Sequence, residues 1–143
     1  MQDVFFEDVQ EGAELPPLKK LPTTRQLVMW AGAIGDYAEI HYDLRAAQAA
    51  KLPDVIAHGA LKCALLGQLV TDWIGPDATL RKLGATYRGM DVPGKALTLK
   101  GRVVKKARVG TENVVECDLW IENEKGEKTT TGSATIALPS RAK

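Results

Sequence analysis

The sequence predicts an α+β fold in which an antiparallel sheet packs on one long helix. Two features carry that expectation: a proline-free apolar stretch from Gly59 to about Ile74, and period-two alternation recurring from Leu80 to Leu138. A third is length, since 143 residues allow one domain over 1–143 with a core that requires no disulfide or metal staple.

The elements follow in order. From Met1 to Pro22 the chain is broken by Gly12, Pro16, Pro17 and Pro22, which predicts a surface arm over 1–22 with room for one short strand. Thr23 or Thr24 can cap a short helix, because Leu27, Val28, Trp30 and Ala31 recur at helical spacing and Gly35 ends the run. Asp36 to His41 reads as a loop. Asp43 to Ala50 is rich in helix formers and stops before Pro53. The segment from Gly59 to Ile74 is apolar around most of its circumference, which predicts a helix enclosed on nearly every side. Ala60, Ala64 and Gly67 form a small-residue stripe along it, while Cys63, Leu66, Val70 and Trp73 fill a bulkier face. Gly75 and Pro76 stop it.

Four strands are expected beyond Leu80, arranged as a meander. In VVECDLWIE, Val115, Cys117, Leu119 and Ile121 share one face, and Glu116, Asp118, Trp120 and Glu122 the other. Ala96 to Val104 places Leu97, Leu99, Gly101 and Val103 inward. Pro93-Gly94 suits a type II turn, Glu124 to Glu127 marks a hairpin tip, and the last strand covers Lys128 to Leu138.

Composition excludes several function classes. Nineteen Lys and Arg against eighteen Asp and Glu leave a net charge of +1 with no basic block, which argues against nucleic acid as a partner. His58, Lys62, Gln68, Thr71 and Asp72 interrupt the longest apolar stretch, so a membrane span is not expected. The acidic N-terminus does not resemble a secretory leader, and the expected location is cytoplasmic. Cys63 and Cys117 stand alone and read as small buried hydrophobes. With only two histidines, no metal site is expected, and no cofactor.

Chemistry concentrates in GDYAEIHYD and PDVIAHGAL. Asp36 and His41 are five residues apart, which an ideal helix would separate by about 140°, so their cooperation requires the loop that Gly35 opens. A carboxylate and an imidazole so placed can exchange protons with one water between them. His58 and Gly59 lie where a loop becomes the long helix. Free N–H groups there can accept developing negative charge, and Gly59 admits a substrate close to the backbone. His58 reads as a packed or capping side chain. Lys62 is expected to snorkel outward, and Glu39 to face solvent. Arg81, Lys82, Arg88, Lys95, Lys100 and Arg102 read mostly as solvated, with a few available to a phosphate or an acidic surface. Trp73 and Trp120 read as core or dimer packing.

Three blocks, WAGAIGDYAEIHYDLRAA (Trp30–Ala47), PDVIAHGALKCALLGQLVTDWIG (Pro53–Gly75) and YRGMDVPGKALTLKGRVV (Tyr87–Val104), together resemble the MaoC-like dehydratases. The likeness extends to (R)-specific enoyl-CoA hydratases and mycobacterial-type (3R)-hydroxyacyl-thioester dehydratase subunits. It implies a dimeric hot-dog fold whose clefts take acyl-CoA or acyl-carrier-protein thioesters, as a homodimer or as a heterodimer with a related hot-dog subunit. By position it implies Asp36 and His41 as the catalytic pair and the Gly59 N–H as the donor to the thioester carbonyl, with His58 and Ala60 beside it in substrate binding. The implied reaction is reversible hydration of trans-2-enoyl thioesters to (3R)-3-hydroxyacyl thioesters. The chain departs from the motif where the family's Asn and Pro are Ala38 and Glu39, and where Ile34 replaces a smaller residue. A catalytically silent partner subunit and an acyl-CoA thioesterase are the alternatives.

Overall fold

The computed structural model describes residues 3–141. The N-terminal segment is less free than its prolines suggest. After a single 3-10 turn, Phe6–Asp8, it runs beside the third strand, with Gly12 N–H donating to Val103 O and Leu15 N–H to Gly101 O, at 2.8 and 2.9 Å. Phe6, Val9 and Leu15 are buried in the core, so a surface arm is corrected to an anchored strap. Apolar side chains placed among turn-forming residues supply the reason, since each gains by leaving water. The strap ends in the short strand β1, Leu18–Lys20.

Helix α1, Thr24–Ile34, is capped by Thr23, whose side chain accepts from Gln26 N–H at 3.1 Å, and closed by Gly35 at φ 72°. Leu27 and Ala31 are buried, whereas Val28 of the expected face is exposed. One 3-10 turn, Glu39–His41, interrupts the following loop. Helix α2, Leu44–Ala49, is capped by Asp43. Helix α3, Gly59–Ile74, has the limits its composition predicts.

The strands β2 (Thr79–Tyr87), β3 (Leu97–Val109), β4 (Glu112–Glu122) and β5 (Lys128–Leu138) join β1 in one antiparallel sheet of order β1-β3-β4-β5-β2. The expected meander therefore holds only for β3 to β5; β2 lies outside β5 instead of beside β3. Register shifts between Val103 and Lys105 and between Leu80 and Lys82 mark bulges, which bend the strands and curl the sheet over α3. Leu65, Leu66, Leu69 and Val70 of the helix meet Leu99, Leu119, Ile121 and Ile136 of the sheet in one core.

The helix is not enclosed on every side. Ala60, Ala64, Thr71 and Asp72 are exposed, and of the small-residue stripe only Gly67 is closely packed, with room for a Cβ no nearer than 3.2 Å from Leu83. Of the two cysteines, Cys117 is buried and its thiol is pushed up to about 12 by that burial, while Cys63 is only half-buried.

Candidate active site

Three elements converge at the start of α3. Gly35 ends α1 in the left-handed conformation, which turns the chain back and delivers Asp36 to the loop. The 3-10 turn then places His41 inward, and the backbone cross-ties it: Ile56 N–H donates to Ile40 O at 3.1 Å, and His41 Nδ1 lies 2.7 Å from Ile56 O. A neutral imidazole bonded this way carries its proton on Nδ1, leaving Nε2 as the acceptor. Nε2 stands 3.9 Å from Asp36 Oδ2. That separation is too long for a direct hydrogen bond, yet one water at about 2.8 Å can touch both atoms, with an angle of about 90° at its oxygen. The Asp36 side chain is 45% exposed and the His41 side chain 11%, so the pair has one solvent-facing and one sheltered member.

His58 lies behind them. Its ring stacks on His41, centroids 3.7 Å apart and planes inclined by 20°, and it is 1% exposed. Its Nε2 is 3.4 Å from Asp36 O, and its Nδ1 is buried without a hydrogen-bond partner. Burial, reinforced by the adjacent His41, holds the His58 imidazole below its ordinary pKa. His58 is thus a packed residue, and its side chain does not cap α3. Asp36, His41 and His58 each bring a ligand-type atom within 4.8 Å of the others. Stacked rings, however, direct their lone pairs along nearly parallel planes and do not converge on a single ion, so the set suits proton exchange better than coordination.

Gly59 and Ala60 follow His58 as the first residues of α3. A Cβ at Gly59 would come within 2.8 Å of the Tyr87 ring, so glycine is required for that close approach. Ala60 is exposed on the helix face beside it. Tyr87 had no sequence signal of its own; its place over Gly59 follows from β2 lying at the sheet edge. Although Tyr87 is 48% exposed, partial desolvation of its hydroxyl first and Cys63 second raise its pKa.

Lys62 requires a correction. It is 2% exposed instead of snorkelling: Nζ donates to Asp91 Oδ2 at 2.9 Å and to Gly89 O at 2.8 Å, and Thr129 Oγ1 donates to the same Asp91 oxygen at 2.7 Å. The partner carboxylate lies 29 residues along the chain, beyond local pattern, although a cation in an apolar helix signals that it must be paired. Glu39 is exposed, as is Ala38 beside it. Of the cations considered for a phosphate, Arg81, Lys95, Lys100 and Arg102 pair with Glu112, Glu124, Glu122 and Glu14. Trp120 faces outward under Lys128 and donates to Glu122, while Trp73 packs against the core.

Comparison with known proteins agrees with this architecture. A chain of the ChsH1–ChsH2 complex from Mycobacterium tuberculosis superposes with a TM-score of 0.81 at 24% identity, over 90% of this chain and 98% of that one. The unliganded R-hydratase PhaJ1 from Pseudomonas aeruginosa gives 0.85 at 22%, over 97% and 88%, and the (R)-hydratase from A. caviae 0.84 at 19%, over 93% and 99%. The fold is therefore the hot-dog fold of those hydratases. In sequence, the 3-oxo-4,17-pregnadiene-20-carboxyl-CoA hydratase beta subunit of Mycobacterium tuberculosis (strain ATCC 25618 / H37Rv) is 33% identical over 73 residues, covering 51% of this chain and 57% of the relative. Residues 9–124 match the family described as MaoC like domain, and the chain belongs to that family.

Proposed function

We propose that the chain hydrates trans-2-enoyl thioesters reversibly to (3R)-3-hydroxyacyl thioesters. The observation that supports this most directly is the 3.9 Å spacing of Asp36 Oδ2 and His41 Nε2, with His41 Nδ1 held by Ile56 O. In this reading the two side chains hold one water beside C3 of the substrate. Nε2 takes a proton as the water oxygen bonds C3, the Gly59 N–H receives the charge developing on the thioester oxygen, and the pair returns a proton to C2. Water is added across the double bond with nothing left over. The positive end of α3 favours the enolate-like state, which is where a donor raises kcat. Ala60, exposed in the first turn of α3, borders the approach to Gly59, whereas His58, expected beside the substrate, is 1% exposed and backs His41 instead.

Exposed surface supports a second subunit. Tyr37, Tyr42, Tyr87 and Met90 are exposed around the candidate site, and Ala60 of α3 lies open beside them, a surface that a partner would cover. The partner is a second copy or a related hot-dog subunit. Ala38 and Glu39 favour one further reading, a silent subunit of a heteromeric hydratase, because Ala38, whose N–H donates to Asp36 Oδ1, has no polar side chain to add a contact in that loop.

Purified protein with crotonyl-CoA and longer or bulkier enoyl-CoAs decides among these, reading both enoyl absorbance and free thiol. Loss of absorbance without thiol release is expected, and Asp36→Asn and His41→Ala should each lower the rate by about two orders of magnitude or more with the fold intact. Activity appearing only when a related subunit is added supports the silent-partner reading. Thiol release, or full activity in both variants, rejects the assignment.

A further inference from the structure

The hydratase reading uses the Gly59 amide but leaves open what holds it in place. Lys62 begins on the helix that Gly59 opens, its N–H bonding His58 O at 3.2 Å. A cation there opposes the positive end of α3, so its burial requires a fixed anion. Asp91 supplies one from the turn after β2, and the same residue's carbonyl accepts Ala57 N–H at 2.8 Å. Ala57 directly precedes His58 and Gly59. The pair is also tied to β5, through Thr129 Oγ1 on Asp91 and through Arg88 and Gly89 N–H on Thr129 O, both at 2.9 Å. One buried ion pair thus joins the incoming loop, the first turn of α3, the turn after β2 and the start of β5. A buried pair adds little stability over apolar packing of the same volume, which leaves fixed geometry as what it contributes.

We infer that Lys62 and Asp91 are positioning residues that set the Gly59 N–H, through Ala57 and His58, at the place where the thioester oxygen must rest. They touch no reacting atom. The inference rests on the hydratase reading for its catalytic meaning, but its structural content is measurable without activity. Removing one partner strands a buried charge, so the informative variant is Lys62→Met with Asp91→Leu, which replaces the pair by apolar groups. Thr129→Val is a milder companion that keeps both charges and removes one hydrogen bond to Asp91.

Two readouts test it. In 15N-labelled protein the Ala57 amide, which donates to Asp91 O, should exchange with solvent at least about tenfold faster in the double variant than in the parent, while the amides of Gly101 and Gly132 keep their parent rates. With crotonyl-CoA, kcat should fall about tenfold or more and KM should stay within about twofold, because the amide acts on charge present mainly in the transition state. Thr129→Val should shift both readouts in the same direction by a smaller factor, and it decides the matter if the double variant fails to fold. Parent-like Ala57 exchange overturns the inference whatever the activity, and so does an unchanged kcat in an active enzyme. An inactive parent protein rejects the hydratase reading instead, with the exchange result still deciding the positioning role.

Discussion

His58 shows how much a single side chain's surroundings decide. The same imidazole on a surface would titrate freely, but under His41, 1% exposed and with Nδ1 unpartnered, it is held neutral. The unfolded chain then takes up a proton before the folded one does. Stability is complete above the unfolded value near 6.5 and is lost as pH falls through the lower folded value. Denaturant unfolding at pH 7.5 and 5.5 should show this loss in the parent protein, and His58→Phe should flatten the difference. An equal loss in both proteins would mean that other groups carry it. The choice of a packed role for His58 was legible in the sequence, from its place at the mouth of an apolar helix. The stack on His41 was not, because sixteen intervening residues separate the two rings, and backbone bonding between the Ile40–His41 turn and Ile56 brings them together.

Among the elements, the contact of α3 with the sheet depends on residues lacking side chains. A Cβ at Gly132 of β5 would meet Gly84 O of β2 at 2.6 Å and Leu66 of α3 at 3.2 Å. The first of these is backbone, which cannot rotate away. Gly132→Ala should therefore cost about 1–3 kcal/mol in chemical denaturation, as overpacking does. At Gly84, where a Cβ meets nothing within 4 Å, alanine should change stability by less than about 0.5 kcal/mol. Equal effects at both sites would show that the helix and the β2–β5 pair have room to separate. Periodicity located α3 and the inward faces of β3 and β4, because both are repeating and local. It placed β2 wrongly, since strand order is set by which edge the chain reaches after α3, and no short-range pattern records that.

For the whole molecule, the surface balance leads to an assembly. β2 forms a free sheet edge, Ala60 and Ala64 of α3 are uncovered, and Tyr37, Tyr42, Tyr87 and Met90 are exposed near the candidate site. Uncovered apolar side chains grouped in this way mark a surface that a partner covers. Sedimentation at micromolar concentration should give twice the 15.5 kDa chain mass, or the mass of a one-to-one complex once a related subunit is supplied. A monomer under both conditions would overturn the expectation of a second subunit. Among the described residues no helix is long and apolar enough to cross a membrane.

The sequence by itself determined the α+β class, the limits of α3, a threonine cap at the start of α1 and the candidacy of Asp36, His41 and Gly59. Those properties depend on residue type and short spacing. Only the tertiary structure decided that Lys62 is buried against Asp91, that the N-terminal strap belongs to the core, and that Tyr87 covers Gly59. Each of these joins segments far apart in the chain, and the free energy of burying a charge or an apolar side chain depends on what arrives from elsewhere to meet it.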